Sequence, residues 1–316
     1  MWKPLLAGLA LAGVAALPAQ AADEFPGDKT IEVVIHAKYG GGTDTTARMM
    51  MIRTRRILGT DLIVVSKRGG GGAAAQAYVK GKDADGYTLM ALTQTHLYTM
   101  ARGKGGMEIN DMVGVARAMD DPTFIVVQQS SSLKTLADLI TASKKKALNW
   151  GVGEIGSTEH IGLLQFAKVA GIKVKAIPFG SGAQMVQALM SGAIDATLPN
   201  VSEALSQVQD GTFRPLAVMN EKRLNDHKDV PTTFELGYPV KTSTTRGYAV
   251  KAGTPEAIIQ KLSDALTKSM KHKTFGNYLR SSGLNPEDSV AGWKVWDKQL
   301  KDEYANAKAA MSELGL

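Results

Sequence analysis

Three consecutive glycines lie between the first predicted strand of the chain and the first predicted helix. The pattern of apolar residues predicts a strand over residues 30–35 and a helix over 43–58, and Gly40, Gly41 and Gly42 connect them. Such a turn leaves backbone N–H groups at a helix start, where the helix dipole favours an anion. Ligands of open α/β sheets bind at the carboxyl ends of the strands. We interpret this loop as a candidate anion site; the alternative is a tight turn that contacts no ligand.

A second glycine turn, G-x-G-x-x-G at residues 151–156, also lies between a predicted strand and a predicted helix. A dinucleotide site requires in addition an acidic residue about twenty positions further on, and residues 173–177 (KVKAI) contain no carboxylate. We therefore interpret this turn, together with Ser157, Thr158 and His160, as a second helix start that accepts an anion. Dinucleotide binding stays the less favoured alternative.

Other chemistries lack their sequence signatures. The chain has no Walker A sequence and no G-x-S-x-G, its five histidines are scattered, and it has no cysteine. We expect no catalytic residue, no metal and no cofactor. Lys and Arg exceed Asp and Glu by 37 − 30 = 7, but the basic residues are spread over predicted helices without interleaved aromatics, so no nucleic-acid partner is expected.

The N-terminus has the features of an export signal. Lys3 precedes an apolar stretch over residues 5–17, and Ala19-Gln20-Ala21 matches a peptidase site. The sequence predicts a signal peptide over residues 1–21, cleavage after Ala21 and a location in the periplasm. An uncleaved membrane anchor is the alternative.

Length and patterning indicate two α/β domains. The chain has 316 residues, which corresponds to about two domains at roughly 100–200 residues each. Short β-branched runs alternate with longer amphipathic ones, first up to about residue 92 and again from about residue 124. This alternation favours mostly parallel sheets with helices on both faces.

Eight short motifs occur in a fixed order: GGGTDTTAR at 40–48, VVSKRGGGG at 64–72, DGYTL at 85–89, GSTEH at 156–160, PFGSG at 178–182, GAID at 192–195, DVPT at 229–232 and AGTP at 252–255. In order and spacing they resemble the tripartite tricarboxylate transporter receptors, the Bug or TctC-type solute-binding proteins. The resemblance implies a type II periplasmic-binding-protein fold: two α/β lobes joined by two crossover strands, with the ligand in the interlobe cleft. It places lobe I in residues 22–124 and 247–316, and lobe II in residues 125–246.

The resemblance also implies which residues bind a ligand carboxylate. They belong to the two glycine turns, a loop after the third predicted strand and two further strand ends: Gly41, Gly42, Thr43 and Asp44; Ser157, Thr158 and His160; Thr93, Gln94 and Thr95; Phe179, Gly180 and Asn200.

This chain departs from the family pattern at two places. Residues 36–39 (HAKY) stand where relatives have Pro-Phe-x-Pro, and Arg246 precedes Gly247 where relatives often have an aromatic residue. Our hypothesis is that Lys38 or Arg246 neutralises a second acidic group of the ligand, with Tyr39 as a flat apolar wall. An interlobe or surface ion pair is the alternative for Arg246.

The sequence thus predicts a monomeric, non-enzymatic receptor that captures a small organic carboxylate, in particular an aromatic or extended dicarboxylate. It would deliver this ligand to the membrane subunits of a transporter. Two rivals stay open: a nucleotide-dependent enzyme that uses residues 151–156, and a ligand-sensing subunit for a membrane kinase.

Overall fold

The computed structural model describes residues 24–316. The predicted signal peptide and the cleavage site after Ala21 lie outside these residues. Within residues 24–316, no helix combines the length and the apolar character needed to cross a membrane.

The first lobe is built on a six-stranded sheet of order β11-β4-β10-β3-β1-β2. Its strands are β1 Ile31–Ile35, β2 Leu62–Ser66, β3 Thr88–Leu92, β4 Met112–Pro122, β10 Ser243–Lys251 and β11 Ala291–Gly292. Its helices are α1 Gly42–Leu58, α2 Ala73–Lys80, α3 Gln94–Ala101, α8 Glu256–Met270, α9 Lys273–Ser281, α10 Pro286–Ser289 and α11 Trp293–Leu314, with short 3₁₀ turns at Gly70–Gly72 and Ile109–Asp111. We call this unit lobe I.

The second lobe is built on a five-stranded sheet of order β7-β6-β8-β5-β9. Its strands are β5 Phe124–Gln128, β6 Leu148–Val152, β7 Val174–Pro178, β8 Ala196–Thr197 and β9 Phe213–Val218. Its helices are α4 Leu136–Lys145, α5 Thr158–Ala170, α6 Gly182–Met190 and α7 Val201–Gln209. We call this unit lobe II.

The two-lobe α/β architecture confirms the predicted fold class, but the sheets are less parallel than the alternation of elements indicated. Strand β1 runs parallel to β2 and β3, and β6 runs parallel to β7 and β8. The crossing strands are antiparallel to their neighbours: β10 to both β3 and β4, and β5 to β8 and β9. Both sheets are therefore mixed.

The chain changes lobe at adjacent points. Strand β4 ends at Pro122 and β5 begins at Phe124, while β10 pairs with β4 from Ser243 opposite Pro122 to Lys251 opposite Met112. The Thr123 N–H donates to the Thr242 carbonyl at 3.1 Å. The crossing segments are thus hydrogen-bonded to each other, close to the predicted boundaries, which themselves stay a prediction.

The C-terminal helix α11 packs on the centre of the lobe I sheet. Trp296 is fully buried, and its indole N–H donates to the Tyr248 carbonyl at 3.2 Å. A Cβ on Gly114 would lie 2.8 Å from the Trp296 ring, and one on Gly247 would collide with it. The two glycines therefore make room for the indole, and the N- and C-terminal parts of the chain share one core.

Candidate ligand-binding cleft

A cavity lies between the lobes, with about 500 Å³ of space in and around it that is free of protein atoms and includes open solvent. Five helices, α1, α3, α5, α6 and α7, start at its walls. Ser157 caps α5 by accepting from the His160 N–H at 3.3 Å, and Ser181 caps α6 by accepting from the Gln184 N–H at 3.4 Å. Because every helix start directs N–H groups at the cavity, its walls favour a negatively charged group.

The structure brings many of the predicted residues to this cavity. Those that line it are Gly41, Gly42, Thr43, Thr93, Thr95, Ser157, Thr158, Gly180, Asn200 and Arg246. Both predicted glycine turns therefore face one space. The Thr158 N–H donates to Thr95 Oγ1 at 3.2 Å, so the helix that follows the second turn contacts the start of α3 across the cleft.

Arg246 is buried among acidic and amide groups. Its guanidinium lies 2.5 Å from Asp121 Oδ2, donates to Asn200 Oδ1 at 3.1 Å, and lies 3.6 Å from Glu203 Oε1. Burial alone would lower the pKa of Arg246, but the carboxylates of Asp121 and Glu203 outweigh it and raise that pKa. Arg246 is therefore a charged group whose charge Asp121 already matches.

Glu203 spans the cleft from the first turn of α7. Its Oε1 accepts a hydrogen bond of 3.1 Å from the Gly42 N–H at the start of α1. Oε2 is buried against Gly182, where any Cβ would collide with it, and has no hydrogen-bond partner among the described residues. Burial raises the pKa of Glu203 to about 7, with Arg246 opposing.

A second glutamate of lobe II makes a similar contact with the other glycine-rich loop of lobe I. Glu154 Oε2 accepts from the Gly71 N–H at 3.1 Å. Burial raises the pKa of Glu154, and the bond from Gly71 opposes the shift. Two carboxylates of lobe II thus hold backbone N–H groups of lobe I.

Lys38 and Tyr39 do not line the cavity, and the roles predicted for them need correction. Lys38 Nζ donates to Gln184 Oε1 at 2.5 Å and to the Phe179 carbonyl at 3.4 Å. Lys38 therefore links lobe I to lobe II by hydrogen bonds. Tyr39 is 59% exposed, and its hydroxyl accepts from the Ser66 N–H at 3.2 Å. The side chain of Tyr39 therefore faces away from the site and forms no wall of it.

Four further predicted residues lie outside the cavity lining and bond or pack to neighbouring residues. Asp44 accepts from the Gly40 N–H at 2.8 Å and the Arg48 side chain at 2.9 Å. Gln94 Oε1 accepts from the Thr245 N–H at 2.7 Å, and its amide nitrogen donates to Glu303 at 2.9 Å. The remaining two, His160 and Phe179, do not line the cavity either: His160 Nδ1 accepts from the Gly156 N–H at 3.0 Å, and Phe179 is partly buried against the lobe II core.

Sequence reasoning missed a set of lining residues: His36, Ala37, Gly153, Glu154, Glu159, Ser181, Gly182, Glu203 and Thr244. Asn200 followed three positions later by Glu203 is a helix-start signal that would have placed Glu203 at the same edge. Glu154 and Glu159 lie inside or next to the glycine turn already identified. His36 directly follows β1, and burial lowers its pKa to about 4, with Arg246 acting in the same direction. His36 is therefore neutral at pH 7.

The glycines of the G-x-G-x-x-G turn serve protein packing. Gly151 lies within β6, where a Cβ would lie 2.6 Å from Ile194, and a Cβ on Gly156 would collide with the Arg102 guanidinium of lobe I. Among residues 24–316, no group of three or more His, Cys, Asp or Glu side chains could hold a metal ion.

The comparisons with known proteins agree with this architecture. The sequence pattern of the tripartite tricarboxylate transporter family receptors matches residues 46–316. A Cupriavidus necator protein described as "UPF0065 protein in gbd 5'region" is 30% identical over 99% of this chain and 95% of its own length. Protein BugT of Bordetella pertussis is 27% identical over 88% and 86%.

Two solved structures have the same fold as this chain. The R. palustris protein Rpa4515, determined with adipate, is 26% identical, has a TM-score of 0.84 and covers 92% of this chain and 98% of its own. MatC from Rhodopseudomonas palustris, with bound malate, has the same TM-score at 24% identity, covering 90% and 99%. The family predicted from the sequence is thus confirmed: the chain belongs to the tripartite tricarboxylate transporter receptor family, the TctC or Bug-type solute-binding receptors.

Proposed function

We propose that the protein is a periplasmic receptor that captures a small organic carboxylate between its lobes and delivers it to the membrane subunits of a tripartite tricarboxylate transporter. The observation that supports this most is the convergence of five helix starts on one interlobe cavity. Backbone N–H groups at helix starts bind carboxylates without a dedicated cation. A relative 26% identical to this chain was determined with adipate.

The ligand is enclosed by a hinge motion at the crossing strands. In the closed arrangement Gly42 meets Glu203, Gly71 meets Glu154 and Thr95 meets Thr158, all across the cleft. A molecule in the cavity would be shielded from water, which strengthens its hydrogen bonds to the walls. Affinity would come from these buried bonds, and no chemical step is required of the protein.

The expectation of a dicarboxylate receives less support than that of a carboxylate. It depended on Lys38 or Arg246 being free to pair with a second acidic group. Lys38 is bonded to Gln184 and Phe179, and Arg246 is bonded to Asp121 and Asn200. We therefore retain the carboxylate and treat the second group of the ligand separately below.

The rival functions are separable by experiment. Glu154 and Glu159 lie in and next to the turn at residues 151–156 that a nucleotide would need, where their carboxylates would repel a pyrophosphate. A sensory role would use the same fold and cleft, so pull-down of a transporter permease or of a sensor kinase domain distinguishes the two.

Light scattering tests the expected monomer, and mass spectrometry of the exported protein tests cleavage after Ala21.

Thermal unfolding with a panel of carboxylates tests the proposal. The panel contains aliphatic, hydroxy and aromatic mono-, di- and tricarboxylates and amino acids, with NAD and ATP as controls. A ligand at 100 times its dissociation constant stabilises the fold by about 2.7 kcal/mol. We expect selected carboxylates to raise the melting temperature and the nucleotides to have no effect. A shift with a nucleotide alone, or no shift with any carboxylate, would contradict the proposal.

A further inference from the structure

The cavity has no free cation for a second carboxylate. Among the Lys and Arg side chains of residues 24–316, Arg246 alone lines it. Arg246 lies 2.5 Å from Asp121, a carboxylate that is completely buried. His36 also lines the cavity but is neutral at pH 7. Within the lining formed by residues 24–316, a dicarboxylate would therefore place its second charge beside a cation that is already matched, while the exposed Arg68 guanidinium lies near Gly180 but outside the lining.

The cavity instead provides free acceptors. Glu203 Oε2 is buried and has no hydrogen-bond partner in the described part of the chain. Glu159 lines the same space, with Oε2 next to Gly153, and its side chain has no hydrogen bond within residues 24–316. A buried acceptor without a partner, as Glu203 Oε2 is, is costly, so a bound molecule that donates to it gains the corresponding free energy; Glu159 is only partly buried.

Two neutral side chains that line the cavity also lack partners, and each can accept from a ligand amino group or donate to a ligand carboxylate. Thr244 and His36 are 5% and 8% exposed, both line the cavity, and neither Thr244 Oγ1 nor His36 Nδ1 has a hydrogen-bond partner among residues 24–316. Native proteins pair nearly all such groups, and the unpaired ones require an explanation. A ligand ammonium has three N–H donors and meets several acceptors at once.

The helix starts divide the cavity into two kinds of wall. Helices α1, α5 and α7 have an acidic residue in the first turn, Asp44, Glu159 and Glu203 respectively. Helices α3 and α6 have none. An acidic residue in the first turn offsets the positive end of its own helix. Because Glu203 Oε2 already lies against Gly182 at the start of α6, the start of α3 is left for the carboxylate of a ligand.

We propose that the ligand is a small zwitterion with one carboxylate and one cationic amino group, and that Glu203, aided by Glu159, selects the amino group. This inference rests on the proposed receptor function and specifies its substrate class. Within that function it replaces the dicarboxylate expected from the sequence.

Matched ligand pairs test the inference. Each dicarboxylate is compared with the ω-amino acid of the same chain length: succinate with 3-aminopropanoate, glutarate with 4-aminobutanoate, and adipate with 5-aminopentanoate. Butanoate, which lacks a second polar group, is the reference. Calorimetric titration measures each dissociation constant. In the pairs that bind, we expect the amino acid to bind about tenfold or more tightly than its dicarboxylate, because it donates to a buried carboxylate.

Two variants and a control assign the selection to residues. Glu203→Gln and Glu159→Gln each remove one charge from the cavity, and Glu221→Gln removes the same charge from an exposed position in lobe II. Glu203→Gln should lower the affinity for the amino acid about tenfold and raise that for the matched dicarboxylate. Glu159→Gln should act in the same direction more weakly and keeps the test valid if Glu203→Gln does not fold. Glu221→Gln should change neither.

The outcomes separate this inference from the proposed function. Tighter binding of the dicarboxylate in every pair, or Gln variants with unchanged preference, would overturn the zwitterion and leave a carboxylate receptor. If no carboxylate and no amino acid bound, both the zwitterion and the carboxylate receptor would be overturned.

Discussion

The backbone N–H of Gly42 in lobe I donates a 3.1 Å hydrogen bond to Glu203 Oε1 in lobe II. This bond forms only when the lobes are together, and it requires that Gly42 has no side chain. A Cβ there would lie 2.6 Å from Glu203 Oε1 and would collide with the Arg246 guanidinium. Closure and ligand selection therefore depend on the same point of contact.

Gly42→Ala should impair closure, since its Cβ would lie 2.6 Å from Glu203 Oε1 of lobe II and would displace the Arg246 guanidinium of lobe I. Alanine itself suits the first turn of a helix. We expect the affinity for the identified ligand to fall about tenfold or more, which corresponds to about 1.4 kcal/mol. Calorimetric titration provides the measurement. Gly81→Ala is the matched control because the nearest atom to its Cβ is 3.6 Å away and its φ is −77°. Equal affinities for the two variants would contradict this role of Gly42.

Asp121→Asn should destabilise the fold strongly. Asp121 is completely buried and pairs with Arg246, which would keep its charge next to Glu203, a more distant carboxylate at 3.6 Å. Breaking a buried ion pair by removing one partner costs about 3–5 kcal/mol. Chemical denaturation measures the loss. Asp302→Asn breaks an exposed pair with Lys298 on α11 and should leave the midpoint unchanged; a comparable loss in both variants would argue against the buried pair.

Acid should destabilise the protein through His36. Burial, reinforced by Arg246, lowers the pKa of His36 from 6.5 to about 4. A pKa lowered in the folded state gives stability that is present above pH 6.5 and is lost as the pH falls towards 4. Between pH 7 and 5 this amounts to about 2 kcal/mol.

The measurement is the free energy of unfolding at pH 7 and pH 5 for the parent protein and for His36→Gln. The variant should lose less stability on acidification than the parent. His272→Asn is the control, since His272 caps α9 near the surface and asparagine can replace that cap. An acid loss that is the same in the His36 variant and the parent would assign it to other groups.

Binding of an amino acid should weaken as the pH falls through 7. Burial raises the pKa of Glu203 to about 7; Glu159 and Asp121 raise it further, while Arg246 and the Gly42 N–H oppose. A ligand cation favours the ionised carboxylate, so binding should be tight above pH 7. The affinity should fall about tenfold between pH 8 and pH 6. Titrations at both values measure the change, and Glu203→Gln should abolish it; a pH dependence that survives in this variant would belong to another group.

The sequence allowed the strongly patterned elements to be predicted but not β4, the longest strand of lobe I. Residues 43–58, 148–150 and 255–271 contain clear periodicity, and helices or strands occur there. Strand β4, Met112–Pro122, contains Gly114, Arg117, Asp120 and Asp121, residues that in isolation indicate a surface loop. It is a strand because β10 pairs along its whole length, and because Arg117 is bonded to the Ser289 carbonyl and Gln299.

The residues of the site also fall into those that the sequence could predict and those that it could not. Backbone donors at a glycine turn follow from local sequence, so Gly41, Gly42 and Thr158 were predictable and line the cavity. The partners of long side chains depend on the other lobe. Neither the bond of Lys38 to Gln184 nor that of Arg246 to Asp121 has any signal in the sequence near either residue.

The hydrogen-bonded crossing strands have a kinetic consequence. Thr123 pairs with Asn200, and the Asn200 side chain donates to the Asp121 carbonyl at 2.7 Å, so the lobes are held together where the chain crosses between them. Opening rotates about this fixed point and breaks contacts outside it, namely those of Lys38 with Gln184 and of Glu154 with Gly71. The time a ligand stays bound is therefore set by those separable contacts, whereas the choice of ligand is made by side chains deeper in the cleft. A change at Lys38 should therefore alter residence time alone, whereas a change at Glu203, which also accepts from Gly42 across the cleft, should alter residence time and selectivity together.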